Sequence, residues 1–446
     1  MLKYIYYLFV ALSVYTDSFL TPYMGAFGFS VIPTAVFILY PILYFKKIIF
    51  VPSFARSFYK LINYTLIISF IFIGIFIILG VPLTLYGEFL PAKTLKLYLT
   101  FLSYVMFIII IVSLGIRLPD KCLYTPFFVV FVLLTIFGYF EYKAIPHAFM
   151  SIHTSVDGSN GEYWRIRLLT QESSHTAPII EIFFLMSAIW ALSVIKSKFL
   201  FILSIVCFAF QFSISSSKSL AVVVMTAFVI GNFNYFVRSS LKNKIILVII
   251  LVPLFIFIGN SILSSTIENI QGDIDNATST ATRSLTMVSG YATGIIYPFG
   301  TGFSSYLYIF PKMLTFFIDE FGGGLNIEEV MGLINGKTDH ALAAQSFFAQ
   351  SSSYWGIMGS CYFMMKLRKV YKNSIRLRDG IESMFIKTCF VCVIINMLFT
   401  SGFDFCIQVF VGILIIRSIK KSHHEVILVN SRNAISSKYR WKNWDV

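Results

Sequence analysis

Long apolar runs separated by short polar segments dominate the chain. The runs approach twenty residues, the length that a helix needs to cross about 30 Å of hydrocarbon. We therefore predict an all-α polytopic membrane protein with about twelve transmembrane helices. The predicted spans cover residues 4–20, 27–45, 61–82, 97–116, 123–140, 177–195, 199–213, 219–236, 245–263, 342–365, 384–401 and 404–419. The first run lacks a small-residue cleavage site, which favours a retained helix over a signal peptide.

The composition excludes an ordinary soluble domain. Hydrophobic residues make up 57% of the chain, charged residues only 13%, and the mean hydropathy is +0.80. The six cysteines lie mostly inside apolar runs without metal or redox spacing, so we interpret them as small core residues. The sequence has no Walker A motif, which argues against ATP-driven transport.

The distribution of charge predicts the orientation in the membrane. With the N-terminus in the cytoplasm, the inward segments hold most of the 35 Lys and Arg residues, and the outward segments hold most of the 21 acidic residues. Both termini are then cytoplasmic, and residues 420–446 form a basic cytoplasmic tail. The net charge of +14 is a topology signal with affinity for anionic lipid and does not indicate nucleic-acid binding.

Two pairs of spans decide this topology. Residues 199–236 and 384–419 could each be taken for one span, but both are too long for a single crossing. Ser213–Ser219 and Thr400–Asp404 supply the polar turns of two hairpins.

Residues 1–419 are predicted to form one polytopic domain with two long periplasmic loops, at about 141–176 and 264–341. A twelve-span carrier typically has short loops and related halves. Long loops generally carry function, so we expect any chemistry on the outer face.

The first polar cluster lies in the earlier loop. Residues 164–175 contain Arg165, Arg167, Glu172, Ser174 and His175. If this segment is helical, Arg165 and Glu172 share a face about 10 Å apart along the axis. Paired guanidinium groups suit phosphate recognition, and a carboxylate could accept a hydroxyl proton. The alternative is a surface ion-pair network at the start of a spanning helix.

Two further polar regions face outward. Lys218 lies among hydroxyl side chains in the turn 213–219. It is a candidate diphosphate contact, or the turn is simply a polar hairpin. The second long loop contains a stretch at 285–297 that is too short to span and is predicted to be re-entrant or surface-lying. The candidate residues in and near that loop are Arg283, Gly300, Gly302, Tyr306 and His340.

Together these motifs resemble the superfamily of O-antigen polymerases (Wzy-type) and O-antigen ligases. The matching residues are Arg165, Arg167, Glu172 and Ser174, then Lys218 in its serine-rich turn, then Gly300, Gly302 and Phe303, and finally Gly356 and Gly359. Ser173 replaces a common proline of the glutamate motif. Gln345 stands where ligases typically carry a histidine, which favours a polymerase, although His340 lies five residues upstream.

The resemblance implies a GT-C-like helical fold and a metal-independent, inverting glycosyl transfer without a cofactor. A glycan on undecaprenyl diphosphate would move onto another lipid-linked repeat unit at the periplasmic face of the bacterial inner membrane. Partners would be this lipid-linked oligosaccharide, the bilayer and a chain-length regulator. We expect Arg283, Arg165 and Arg167 on diphosphate and Glu172 or His340 on the acceptor hydroxyl. The supporting substrate contacts would be Lys218, Ser174, Gly300, Gly302 and Tyr306.

Three alternatives stay open at this stage. An O-antigen ligase would use lipid A-core as its acceptor. A lipid-linked oligosaccharide flippase or other transporter would place its charged residues at the membrane midplane rather than in outward loops. A non-enzymatic scaffold for chain assembly would need neither Arg283 nor Glu172.

Overall fold

The structure is a computed structural model of the whole chain. It describes residues 2–16, 18, 30–143, 166–170, 175–215, 218–238, 278–321, 327–335, 343–375, 380–399 and 402–421. The predicted span 245–263 lies outside these residues.

Six helices in the described part of the chain are long and apolar enough to cross a membrane. They are α3 (Ser53–Ile78), α4 (Leu90–Gly115), α5 (Asp120–Lys143), α6 (Thr176–Val194), α7 (Lys198–Ser215) and α13 (Ile381–Phe399). At 1.5 Å per residue they measure about 27–39 Å, which matches the apolar thickness of a bilayer. The chain is therefore an α-helical, multi-pass membrane protein. Each of the six overlaps a predicted span, and the last turn of α6 widens into a π-helix at Trp190–Val194.

Four further predicted spans correspond to other helices. These are α1 (Leu2–Leu12), α2 (Ile32–Phe45), α8 (Lys218–Arg238) and α14, over 405–421. The prediction of a first span at 4–20 is wrong in its extent, because the backbone leaves the helix in a turn at residues 13–14. With 11 and 14 residues, α1 and α2 are shorter than a perpendicular crossing requires. Twelve full crossings therefore remain a prediction.

Helix α4 packs at the centre of the described bundle. Most of its second half is fully buried, including every residue from Phe107 to Gly115. It contacts α1, α2 and α3, and Gly115 packs against Ile416 of α14. A two-stranded hairpin of β1 (Thr84–Leu85) and β2 (Glu88–Phe89) connects α3 to α4. Its polar and aromatic turn residues come directly before the apolar start of α4.

The described part of the second predicted loop is largely helical. It forms α9 (Thr278–Ile296), α10 (Tyr306–Phe321) and α11 (Glu328–Ile334). The stretch 285–297 does not lie on the surface. Leu285, Thr286 and Ser289 are buried, and α9 packs along the helix that begins at Phe347. Gly290 and Gly294 form a G-x-x-x-G pair that faces Ala349 and Ser352. Such small residues allow two membrane helices to approach closely.

The predicted span 342–365 is a broken helix. The observed helix α12 runs from Phe347 to Ile375, but Gly356 has φ 71° and ψ 173° inside it. The predicted span therefore overlaps two helical pieces that meet at Gly356. The break lies where α12 contacts the loop before α10, so tertiary contacts replace the helical hydrogen bonds that are lost there.

Charged residues from three segments predicted to be cytoplasmic meet at one end of the bundle. Arg417 pairs with Glu382, and its guanidinium donates to the Tyr124 hydroxyl at 3.1 Å. Lys420 pairs with Asp120 at 2.8 Å. These ion pairs join α5, α13 and α14 at the ends that the charge pattern assigns to the same side.

Candidate functional site

A cavity of about 290 Å³ lies at the opposite end of α14 from the Arg417–Glu382 pair. Its wall includes Phe403, which precedes α14 by two residues and is about 20 Å from Arg417 at the helical rise. The lining residues are Leu97, Phe101, Tyr104, His175, Arg283, Ala344, Gln345, Ser346, Phe347, Gln350, Tyr354, Gly402 and Phe403. Most of them come from loops or from the span halves that the charge pattern assigns to the outer side, and Tyr354 lies at the middle of the predicted span 342–365. We call this space the outer cavity.

Four helices present their N-terminal ends to the outer cavity. Helix α6 begins directly after His175, α12 begins at Phe347, α14 begins two residues after Phe403, and Arg283 lies in the second turn of α9. Each helix N-terminus carries roughly half a positive elementary charge and unpaired N–H groups. The local field therefore favours an anion in this cavity.

Aromatic side chains form the inner wall of the outer cavity. The ring centroids of Phe347 and Phe403 are 5.0 Å apart, and those of Tyr104 and Phe403 are 6.1 Å apart. Phe101 and Tyr354 meet edge to face at 6.1 Å. Because Phe101, Phe347, Tyr354 and Phe403 are buried, the wall is a packed surface and not a set of loose side chains. Flat apolar rings beside polar groups are typical of a pocket that binds an amphiphilic organic molecule.

The side chains of His175 and Asp404 contact each other at this cavity. The His175 Nδ1 lies 3.3 Å from Asp404 Oδ2, and the two side chains are 35% and 19% exposed. The pair joins the start of α6 to the start of α14. The sequence predicted a polar role for the cluster that contains His175 but did not single out Asp404, since the partners are 229 residues apart.

Arg283 is the predicted catalytic residue that the structure places in the cavity wall. Its side chain is exposed, and the helix that carries it is held by the Gly290–Gly294 contact with α12. The backbone at Arg283 is therefore held by the packing of α9 on α12, while its side chain is accessible from the cavity. This arrangement suits a cation that contacts a ligand entering from outside.

Arg167 lies in an ordered segment, residues 166–170, that precedes α6. The segment is not helical, and Leu168 has φ 51°. The helix considered for 164–175 is therefore not formed over residues 166–170. Buried Glu141 accepts the backbone N–H groups of Arg167 and Leu168, and the Arg167 carbonyl accepts the hydroxyls of Thr170 and Thr176. The Arg167 backbone is thus fixed by hydrogen bonds to a carboxylate and not by helical hydrogen bonds.

Gly300 and Gly302 pack closely against the backbone of two other segments of the protein. Their φ angles are 89° and 84°, and an added Cβ would lie 2.3 Å from the Tyr354 carbonyl oxygen at Gly300 and 2.6 Å from Ser69 at Gly302. The Gly302 N–H donates to the Tyr354 carbonyl at 2.9 Å, and the Thr301 hydroxyl donates to the Ser353 carbonyl at 2.7 Å. These glycines allow the loop before α10 to pack into the break of α12. Their predicted contact with a substrate stays a prediction.

Tyr306 is buried, 1% exposed, at the start of α10. Its ring packs against Tyr354 at 5.1 Å, and the Lys93 ammonium lies 5.9 Å from the ring centre. It thus supports Tyr354 from behind the cavity wall. Its predicted role in substrate binding is neither confirmed nor contradicted by this placement.

Four predicted site residues lie outside the described residues: Arg165, Glu172, Ser174 and His340. Lys218 is the first residue of α8, and its side chain is not described. Among the described residues, the structure therefore brings together Arg283 and His175, with Asp404, Gln350 and the aromatic wall as additions. Gln345, noted as a departure from the ligase pattern, is exposed at the rim.

Glu181 of α6 forms a separate polar contact with α13. Its side chain is fully buried, and its Oε2 accepts a hydrogen bond of 2.6 Å from the Asn396 amide of α13. It does not reach the membrane surface, because it is enclosed by neighbouring helices. A carboxyl group at such a site requires a partner, and Asn396 supplies it.

No protein-family model matches this chain, and no curated protein sequence matches it significantly. The geometry of the outer cavity and the sequence motifs are therefore the basis for a proposed function.

Proposed function

We propose that this protein is a membrane glycosyltransferase that polymerises lipid-linked oligosaccharide repeat units on the outer face of the bacterial inner membrane. In this reaction a glycan carried on undecaprenyl diphosphate moves to the non-reducing end of a second lipid-linked unit. The observation that carries the proposal is the outer cavity, which combines a cation, an imidazole–carboxylate pair and an aromatic wall. A diphosphate, a hydroxyl and a sugar ring each have a matching group there.

The proposed role of Arg283 is to stabilise the departing diphosphate. Negative charge grows on the leaving oxygen as the glycosidic bond breaks, and a fixed cation lowers the energy of that state more than it stabilises the bound substrate. The helix N-terminal ends of α6, α12 and α14 add to the same field. Arg165, Arg167 and Lys218 are proposed as further diphosphate contacts on the strength of the sequence motifs.

A GT-C-like fold, twelve spans and the inner-membrane location belong to this proposal as well. They agree with the helical membrane bundle and with the charge asymmetry between its two ends. A chain-length regulator is the expected protein partner.

The cavity residues favour an outer-face enzyme over a flippase. A flippase needs a polar path that reaches both faces, and its charged residues belong near the midplane. The described charged residues of the outer cavity come from helix starts and loops. Gln345 at the rim, in place of the ligase histidine, favours polymerase over ligase.

The test is an assay with purified protein in liposomes and an undecaprenyl-diphosphate-linked repeat unit. A polymerase produces a ladder of longer lipid-linked glycans and releases undecaprenyl diphosphate, which gel separation and mass spectrometry measure. Arg283→Ala should lower the rate by about 10²–10³-fold, as loss of one charge-stabilising donor does. Lys312→Ala removes an exposed cation of α10 that does not line the cavity, and it should leave the rate unchanged.

Two outcomes would replace the proposal. Transfer onto lipid A-core without ladder formation would make the protein a ligase, and a deletion strain would then show bare core rather than core with a single repeat. Movement of the labelled lipid across the liposome membrane with no new glycosidic bond would make it a flippase. A normal ladder from an Arg283→Ala and Glu172→Ala double variant would contradict the catalytic roles of these residues.

A further inference from the structure

The His175–Asp404 pair couples two helix starts directly at the wall of the outer cavity. Only the tertiary structure brings the two residues together, with 3.3 Å between Nδ1 and Oδ2. His175 is partly exposed and belongs to the cavity lining, whereas Asp404 is more enclosed behind it. The carboxylate is therefore well placed to orient the ring, and the ring is well placed to meet a ligand.

The pair defines which ring nitrogen carries the proton. A carboxylate accepts hydrogen bonds, so Nδ1 is the donor in this contact. In the neutral ring Nε2 then holds the lone pair and can accept a proton. The same division of roles between a histidine and an aspartate operates in hydrolase triads, where the aspartate fixes the tautomer and stabilises the imidazolium.

We propose that His175 is the general base of the glycosyl transfer and that Asp404 is the residue that positions it. This inference depends on the proposed function. The acceptor hydroxyl gives its proton to Nε2 of His175 while its oxygen forms a bond to the anomeric carbon of the donor glycan. The bond between that carbon and the diphosphate oxygen breaks, and undecaprenyl diphosphate leaves with the electron pair. Arg283, in the same cavity wall, offsets the charge that this oxygen acquires.

The other described residues of the cavity wall are poorer bases. Gln345 and Gln350 carry amides, which do not accept protons near neutral pH, and the Tyr104 and Tyr354 hydroxyls are protonated there. Imidazole titrates close to neutrality, which is where a general base is most effective. Four titratable or charged groups face His175. Asp404 contacts it, and Arg283, Tyr104 and Tyr354 share the cavity wall with it.

The pair also has a purely structural interpretation. Asp404 precedes α14, and its carbonyl accepts the Gln408 N–H, so the contact could serve only to join two helix starts. That role would affect thermal stability but not the dependence of the rate on pH. The two roles are therefore separable by experiment.

The experiment uses the full-length protein in liposomes with the lipid-linked repeat unit. For His175→Ala and His175→Gln we expect kcat to fall about 10²–10⁴-fold, the usual contribution of a general base, with KM within a few-fold of the unmodified protein. Asp404→Asn should lower kcat and move the acidic limb of the pH–rate profile to lower pH, because the carboxylate no longer stabilises the imidazolium. Asp319→Asn alters an exposed acid on α10 and is the matched control.

The outcomes separate this inference from the proposed function. If the unmodified protein forms no glycosidic bond, the proposed function fails, and the base assignment fails with it. If it forms the ladder and His175→Gln does so at a similar rate, the base assignment is overturned while the polymerase proposal stands. If His175→Ala does not fold, an unchanged pH profile in folded Asp404→Asn overturns the pair, and a shifted profile supports it. A rate loss confined to Glu172→Gln or His340→Ala would assign the base to one of those residues instead.

Discussion

The carboxylate of Glu141 accepts the backbone N–H of Arg167 at 2.9 Å and holds the 166–170 segment against the end of α5. Its second oxygen accepts the Leu168 N–H, also at 2.9 Å. Leu168 is in the left-handed region, so the segment needs these bonds to keep its shape. The predicted diphosphate contact Arg167 is thus supported by a buried acid on another helix.

Replacement of Glu141 should release the segment that it holds. Glu141→Ala removes two hydrogen bonds to a charged acceptor, each worth about 1.5–3 kcal/mol, and should speed cleavage by trypsin after Arg167. The measurement is the rate of that cleavage in detergent, with thermal unfolding alongside. Glu320→Ala changes an exposed acid and should cleave at the original rate. Equal cleavage rates in the two variants would contradict the role of Glu141.

The geometry of the Arg283 side chain should matter as well as its charge. Arg283→Lys keeps a cation but loses the planar fork that binds two diphosphate oxygens together, so we expect activity between those of Arg283→Ala and the unmodified protein. Steady-state kinetics on the lipid-linked repeat unit measure this order. Full activity in the lysine variant would indicate that only net charge is needed.

Gly356 should be intolerant of any side chain. Its φ of 71° and ψ of 173° lie in a region that is open essentially to glycine alone and costs other residues about 1–3 kcal/mol, and an added Cβ would overlap the Pro298 carbonyl oxygen. Gly356→Ala should therefore reduce the yield of monodisperse protein and its unfolding temperature. Gly74→Ala is the control, because an added Cβ meets nothing within 4 Å there. Similar size-exclusion profiles for both variants would refute the packing argument.

Glu181 and Asn396 should be energetically coupled. A double-mutant cycle with alanine at both sites is expected to give a coupling free energy of about 0.6–1.7 kcal/mol, which runs from the average to the largest value measured for hydrogen bonds between membrane helices. Thermal or denaturant unfolding in detergent supplies the four stabilities. Asn232 contacts α13 through Thr388, two turns from Asn396, so Glu181 and Asn232 should be additive within about 0.5 kcal/mol.

The two ends of the bundle should lie on opposite sides of the membrane. In spheroplasts, a membrane-impermeant maleimide should label Gln345→Cys, at the rim of the outer cavity, but not Asp120→Cys, beside Lys420. Both positions are exposed, so the difference reports sidedness. The unmodified protein gives the background from native cysteines such as exposed Cys361. The reverse labelling pattern would invert the predicted topology.

The sequence predicted the six long membrane helices well because helix formation in lipid depends on local composition. Every backbone polar group must be satisfied within the segment, so an apolar run of sufficient length is already a helix. Predictions failed where tertiary contacts compete with local preference. The first helix ends at a turn over residues 13–14, after which the Thr16 N–H donates to the Leu169 carbonyl. Gly356 breaks α12 where the loop at Gly300 packs into it.

The candidate site likewise contains residues that the sequence predicted and residues that it did not. Arg283 and the polar cluster around His175 could be found from the sequence, because charge is rare in an apolar chain and conspicuous in a loop. Asp404, Gln350 and the aromatic wall could not be found, since nothing local distinguishes Phe403 from the many other aromatic residues of this sequence. Their importance comes from which helix ends meet, and contacts across 229 residues leave no periodic signal.

The sequence by itself determined that this is a helical membrane protein, and it predicted which side each segment faces, because hydrophobicity and charge act residue by residue. Only the tertiary structure decided that His175 meets Asp404, that Arg283 shares their cavity, and that Glu141 holds Arg167 in place. Those relationships arise from the packing of α5, α6, α9, α12 and α14. Packing depends on the shapes of whole helices, which no single stretch of sequence contains.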